Sequence, residues 1–242
     1  MGIYEYKTRL EFADINENNQ LTQKGLLRIL GEAASIHSEV IGYGPNTMSK
    51  THLSWMVLHW KLQIFKTPSW HSEILVKTWP RTFNKIFSCR DFEVYDKDNT
   101  LVAIASSKWV LIDIEKHSIC RISPEMANAY GIVDNSVFDI EVNDKENEPE
   151  NSTYVYDYTI KRHDIDTNHH VNNLYYLDFA YDALPENIWD KQFNNLEIIY
   201  KKQIKLGDTI KCFYTYDEIK NHHIVTIKSE DLQTVHSIVK IF

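Results

Sequence analysis

The sequence predicts an α+β fold built twice within one chain. Three observations lead to it: a break near the middle rich in acids and asparagine, one amphipathic helix followed by a run of strands on each side of that break, and short blocks of residues that recur in the same order. A helix set ahead of consecutive strands departs from the βαβ alternation that marks a parallel sheet.

The break is NDKENEPENS, Asn143 to Ser152, which has no apolar periodicity and reads as a linker. It divides the chain into an N-terminal domain over 1–142, a linker over 143–152 and a C-terminal domain over 153–242. With 242 residues, 43% of them hydrophobic and 25% charged, the chain has the material for a real core.

The elements of the first half follow in order. An extended start, Tyr4 to Phe12, passes through ADINENNQ into a helix whose apolar face is Leu26, Leu27, Leu30, Ala33, Ala34, His37, Val40 and Ile41. The strand-like runs LHWKLQIF, EILVKTW, FSCRDFEVY and LVAIASSKWVLIDI come next, the last two joined as a hairpin by the turn Asp96 to Asn99. The second half keeps this order. TYVYDYTI alternates, DIDTNHH leads into a helix from about Val171 to Leu184, and LEIIYKKQI, TIKCFYTY, HIVTIKS and TVHSIVKIF complete the chain.

The halves also rhyme residue by residue. Shifted by 150 positions, DINENNQL (Asp14 to Leu21) lies over DIDTNHHV (Asp164 to Val171). Asp, Ile and the central Asn coincide, whereas Asn16 falls on Asp166 and Gln20 on His170. A second block, shifted by 135, sets IFKTPSWHSEIL over IYKKQIKLGDTI, and so Ile64 over Ile199. The first copy carries neutral amides where the second carries an acid and an imidazole. Chemistry is therefore expected in the second half.

Composition narrows the function classes. A net charge of −8 with no basic arm argues against a nucleic-acid partner. The local cluster Lys201, Lys202, Lys205 and Lys211 fits either an acidic partner or a solvated strand face. No apolar run approaches the roughly 20 residues of a membrane span, and MGIYEYKTRLEF lacks a signal-peptide core. Cys89, Cys120 and Cys212 show no C-x-x-C spacing, so buried thiols in a reduced, cytoplasmic compartment are expected. The 12% aromatic content suits strands lining an apolar pocket as well as a plain β-core. Neither G-x-S-x-G nor G-x-G-x-x-G occurs, which leaves a serine elbow and a glycine-rich phosphate loop without support.

The stretch DIDTNHHVNN, Asp164 to Asn173, admits three readings. As a metal site it is poor, because adjacent His169 and His170 diverge by about 100° on a helix or face opposite sides of a strand. His222 and His223 are likewise adjacent, and no metal or cofactor is expected. As a helix start, Asn168 or Asp166 caps orphan N–H groups, which leaves the imidazole unexplained. As a catalytic site, the N–H groups of Val171 to Asn173 meet a developing oxyanion. Asp166, Asn168 and His170 then activate and hold a water and polarise a carbonyl.

At these residues the chain resembles the acyl-acyl carrier protein thioesterase family of plant plastids and bacteria. The pattern D-x-N-x-H-V-N-N-x-x-Y, Asp166 to Tyr176, is similar to the family's catalytic signature. TPSWHSEILVKTW, CRDFEVYD and ASSKWVLID resemble its first-half strands. The resemblance implies a tandem (double) hotdog, each half a long helix wrapped by an antiparallel β-sheet, with a non-catalytic first copy. It places the catalytic Asp, Asn and His at Asp166, Asn168 and His170. It sets Gln203 where the family has a catalytic Glu, so Gln203 at most positions water.

The activity so implied is hydrolysis of fatty acyl-acyl carrier protein, with the carrier protein as partner, no nucleic-acid or membrane partner, and a homodimer left open. H-V-N-N alone is shared with acyl-CoA thioesterases. An acyl-CoA thioesterase and a non-catalytic acyl-thioester-binding module therefore stand as alternatives. Trp55, Met56 and Trp60 serve equally as tunnel-closing or core residues, which leaves acyl chain length open. Asp164, matched by Asp14, is expected to be structural.

Overall fold

Residues 2–138 and 146–242 are described by the computed structural model, whose contacts divide the chain into two units, Met1–Val142 and Asn143–Phe242. In the first unit, alternating burial makes a strand of Tyr4–Arg9 (β1), and the heptad-like apolar spacing makes a helix of Gln23–Val40 (α1). A short helix, Met48–Thr51 (α2), leads to four long strands: Leu53–Ile64 (β2), Glu73–Phe83 (β3), Phe87–Asp96 (β4) and Leu101–Asp113 (β5). The pair Ser118–Ile119 (β6) and the helix Pro124–Tyr130 (α3) close the unit. Its sheet is antiparallel in the order β1-β3-β4-β5-β2, with β6 on β5.

The second unit has Thr153–Thr159 (β7), Tyr175–Asp182 (α4), Asn195–Tyr200 (β8), Thr209–Asp217 (β9), His222–Ser229 (β10) and Val235–Ile241 (β11). Its order, β7-β9-β10-β11-β8, is that of the first unit strand for strand. The duplication read from the sequence is thus a duplication of topology, with α1 and α4 in the same place ahead of four later strands of each antiparallel sheet. One alignment needs correcting. Ile64 pairs with Ala103 through the same ladder position at which Tyr200 pairs with Ser237, so Ile64 corresponds to Tyr200 and not to Ile199. A slip of one residue exchanges the two faces of a strand, and the shared Ile-aromatic-Lys carries no record of the ladder partners that set the register.

Residues 143–145 of the expected linker lie outside the described residues. The rest is tied to the second sheet. Lys201 and Lys240 both bind Glu146, and Lys228 pairs with Glu148 at 2.8 Å. Glu146 and Glu148 thus find lysines on β11 and β10.

The two helices differ in length for a visible reason. Thr22 caps α1, accepting from the Gly25 amide at 2.9 Å while its hydroxyl donates to the Asp14 carbonyl at 3.1 Å. Gly25 lies so close to that turn that a Cβ would stand 2.4 Å from the Asp14 oxygen. In the second unit Tyr175 holds the equivalent place. The tight approach is closed to it, and α4 begins at Tyr175 instead of the expected Val171. Pro185 then excludes helical geometry at Leu184, two residues past the last helical residue, Asp182. At the far end of α1, Val40, expected on the apolar face, is exposed.

The sequence reading did not place α3, although Ser123 caps it by accepting from Met126 N at 3.2 Å and Pro124 opens it. It packs Met126 and Tyr130 with Leu111 and Ile122. Trp55 belongs to this cluster, its indole donating to the Tyr130 hydroxyl at 2.9 Å, and Trp60 is buried against Phe92 and Trp109. Cys212 is buried, Cys89 and Cys120 are half-buried, and all three are free thiols. Among the described residues no helix is long and apolar enough to cross a membrane.

Beside α3 lies a buried polar group. Arg90 donates to Thr78 Oγ1 at 3.1 Å and to His37 Nδ1 at 3.0 Å, a contact that requires the neutral ring because a guanidinium only donates. Burial, reinforced by the Arg90 charge, pushes His37 down to about 3. The unfolded chain takes up this proton near its ordinary value of about 6.5, while the folded chain resists it down to about 3. Stability from this residue is therefore complete above that window and is lost as pH falls through it, by up to about 1.4 kcal/mol per pH unit. Urea titrations at pH 7 and pH 5 should show a smaller pH loss in His37→Asn than in the parent. Gly25→Ala should cost about 1–3 kcal/mol by overpacking against backbone. Gly31→Ala, in α1 with open space around its Cβ, should add about 0.5–1 kcal/mol, and the same titrations read both.

Candidate active site

The segment that carries the expected chemistry is held by Asp164. This side chain is 2% exposed and accepts from the Lys161 amide at 2.8 Å and the Tyr158 hydroxyl at 3.1 Å. Its own carbonyl accepts from the Asn172 amide at 2.8 Å. One residue therefore fastens both the entry and the exit of the intervening loop. Asp14 does the same in the first unit: its carboxylate takes the Glu11 amide at 2.8 Å and two Arg28 bonds at 2.7 Å, and its carbonyl takes the Thr22 amide at 2.9 Å.

Between these clamps the chain makes a tight turn. Ile165 bridges Val171, the Asp166 amide donates to the His170 carbonyl at 2.9 Å, and His169 adopts φ 62° at the corner. Asp166 Oδ1 accepts from the Asn168 amide at 2.7 Å, and its other oxygen stands 3.5 Å from the Asn168 side-chain amide. The structure thus brings Asp166, Asn168 and His170 into a single turn, with Asn168 and His169 exposed and Asp166 and His170 half-buried. Among the described residues the buried His170 Nδ1 has no hydrogen-bond partner, a costly state for a polar atom.

The first unit makes this turn with amides, Asn16 and Gln20, at the positions of Asp166 and His170. Ile15 bridges Leu21, Asn16 N donates to the Gln20 carbonyl at 2.9 Å, and Asn19 takes φ 59°. Asn16 Oδ1 accepts from the Asn18 and Gln20 amides, both at 3.0 Å. An amide oxygen at this position closes the turn. The charge of Asp166 and the ring of His170 are surplus to folding it.

Part of the expected oxyanion site is corrected. The Val171 amide donates to the Ile204 carbonyl at 3.0 Å and the Asn172 amide to Asp164, so neither is free to face a substrate. Both are used because the loop exit lies between two segments that need fastening. Asn172, in turn, accepts from the Leu174 amide at 3.0 Å, and it, not Asp166 or Asn168, supports the helix entry.

Gln203 is exposed and approaches the turn through the backbone, since the next residue, Ile204, is the one bonded to Val171. Tyr176 is buried beside both segments. Burial pushes its phenol well above the ordinary range, the Asp166 charge adds to the rise, and a hydrogen bond with the Ile204 backbone opposes it. The Tyr176 ring meets Tyr200 edge-on at 5.2 Å, and the Tyr200 hydroxyl donates to the Asn173 carbonyl at 3.0 Å. Sequence reasoning gave neither tyrosine a role, and it also passed over His236, whose Nδ1 lies 3.0 Å from the Lys202 carbonyl. The signal for His236 was its counterpart in the repeat, a valine.

The lysine cluster is partly committed elsewhere. Lys211 pairs with Asp157 at 3.0 Å and Lys201 with the Glu146 carbonyl, leaving Lys202 and Lys205 as exposed members beside Gln203. Among the described residues no three His, Cys, Asp or Glu side chains are grouped to hold a metal ion.

Residues 3–130 match the family model of the acyl-ACP thioesterase N-terminal domain, and residues 137–240 match that of its C-terminal domain. The chain is 23% identical over 229 residues to oleoyl-acyl carrier protein thioesterase 2, chloroplastic, of Arabidopsis thaliana, an alignment covering 88% of this chain and 62% of that one. It spans less than two thirds of the length of that relative. Its fold is that of an acyl-ACP thioesterase from Bacteroides thetaiotaomicron (TM-score 0.86, 23% identity, 99% and 97% of the two chains). A 12:0-ACP thioesterase from Umbellularia californica is similarly close (TM-score 0.84, 19% identity, 99% and 96%). Both units are therefore hotdog folds.

Asp164→Ala should cost about 1–3 kcal/mol, because the Lys161 amide and Tyr158 hydroxyl lose their acceptor. Asp166→Asn, which gives the turn the residue its first-unit twin already uses, should change stability by less than about 0.5 kcal/mol. Urea midpoints of the two variants check the contrast.

Proposed function

Because this chain belongs to the acyl-ACP thioesterase family, we propose that it hydrolyses fatty acyl-acyl carrier protein to a free fatty acid and the carrier thiol. The observation that carries the reading is the comparison of the two turns. One backbone is built twice, and a carboxylate and an imidazole appear in the second copy where amides suffice in the first.

In this reading Asp166 takes a proton from a water that the Asn168 side chain orients, and the water oxygen attacks the thioester carbonyl carbon. His170 stabilises the charge forming on the carbonyl oxygen, a task left to it because the Val171 and Asn172 amides are already bonded. The carbonyl then re-forms as the C–S bond breaks, and the leaving thiolate takes up the proton held by Asp166, which restores the carboxylate. Gln203 cannot serve as a base and helps at most to hold water. The first unit supplies no reacting group. Lys202 and Lys205, exposed next to Gln203, suit an acidic carrier protein approaching that side.

A second reading has one specific observation in its favour. Gln203 stands where the resemblance places a catalytic Glu, which suits a module that binds acyl thioesters without turning them over. A hydrolysis time course separates the two.

Asp166→Asn and His170→Ala should each lower kcat by about 10²–10⁴ while the fold is retained. Near-normal hydrolysis of an acyl-carrier panel by both variants would remove the assignment. Matched acyl-carrier and acyl-CoA substrates should give the higher kcat/KM with the carrier. Neutralising Lys202 and Lys205 should weaken the salt dependence of that preference.

A further inference from the structure

The corner that follows β8 is also built twice, and the two versions differ at one buried side chain. In the first unit the amides of Phe65 and Lys66 both donate to the Val102 carbonyl, at 2.8 and 3.2 Å. In the second unit the amides of Lys201 and Lys202 both donate to the His236 carbonyl, at the same two distances. Valine therefore suffices to form the corner. His236 is 6% exposed, and its ring does something the valine cannot: Nδ1 donates to the Lys202 carbonyl at 3.0 Å. Those residues run directly into Ile204, whose carbonyl holds Val171 beside His170 and whose backbone meets the Tyr176 phenol next to Asp166.

We infer that His236 is a positioning residue, which fixes the Lys202–Ile204 segment against the Asp166–His170 turn so that Gln203 and His170 keep their places relative to a bound thioester. The inference rests on the hydrolytic reading of that turn. A polar side chain set where the twin corner has an aliphatic one follows the same pattern as Asp166 over Asn16 and His170 over Gln20.

The test compares His236→Val, which copies the first-unit corner, with His236→Asn, which restores a donor toward the Lys202 carbonyl. His236→Val should fold, lose about tenfold or more in kcat with KM within about twofold, and speed amide exchange at Val171. His236→Asn should recover most of the lost rate and slow the exchange again. Parent-like kcat and Val171 exchange in His236→Val overturn the inference. So does failure of that variant to fold, since the imidazole would then be a stability residue, and so does a loss that His236→Asn leaves unrepaired. Asp166→Asn, run alongside, keeps the two claims apart. Should it retain full turnover, the hydrolytic reading fails, and exchange at Val171 alone decides whether His236 holds the segment.

Discussion

A buried carboxylate that grips one end of a loop through its side chain and the other through its own carbonyl organises each half of this protein. With Asp164 at 2% exposure and Asp14 at 0%, the bonds they accept are shielded from water, where a lost partner is costly. The clamp converts a stretch rich in polar residues into a rigid turn. Everything assigned to that turn, the placement of a carboxylate, an amide and an imidazole within five residues, depends on its two ends being fixed. The shared clamp also explains how one copy can change its chemistry without changing its shape.

That separation of frame from chemistry runs through the molecule. The turn tolerates Asn or Asp, and Gln or His, because its own hydrogen bonds ask for an acceptor oxygen and backbone groups. The helix behind it is less tolerant. Glycine at position 25 lets α1 lie against the Asp14 carbonyl, whereas Tyr175 holds α4 off and shortens it. The next residue, Tyr176, packs edge-on against Tyr200 beside the armed turn.

Much of this was legible in the sequence, and the remainder has physical reasons for being hidden. Alternation and helical spacing gave the class, the succession of elements along each half and the duplication, since those patterns are set by local periodicity. The turn residues stood out because acids, amides and histidines are dense there. Bonds made across the fold have no such signature. That the Val171 amide is consumed by Ile204, or that His236 reaches the Lys202 carbonyl, depends on partners tens of residues away. The start of α4 failed for a related reason, because the exclusion acts between Tyr175 and a carbonyl eleven positions earlier. The helix α3 differs: Ser123 and Pro124 announced it, and a seven-residue element offered too little periodicity to be weighed.

The pairing of Lys211 with Asp157 bears on how the chain stays dispersed. β1 and β7 are outer strands of their sheets, and an outer strand offers unpaired amides and carbonyls to any other extended segment. β1 turns Glu5, Lys7 and Arg9 outward, a row of charges that resists such addition. β7 instead shows Tyr154 and Val155, 50% and 40% exposed. Lys211, salt-bridged to the exposed Asp157 of β7, lies over the Tyr154 ring at 5.6 Å, and the pair keeps charge beside these two side chains. Of the two outer strands β7 is therefore the more open to aggregation, and the Lys211–Asp157 pair is its gatekeeper.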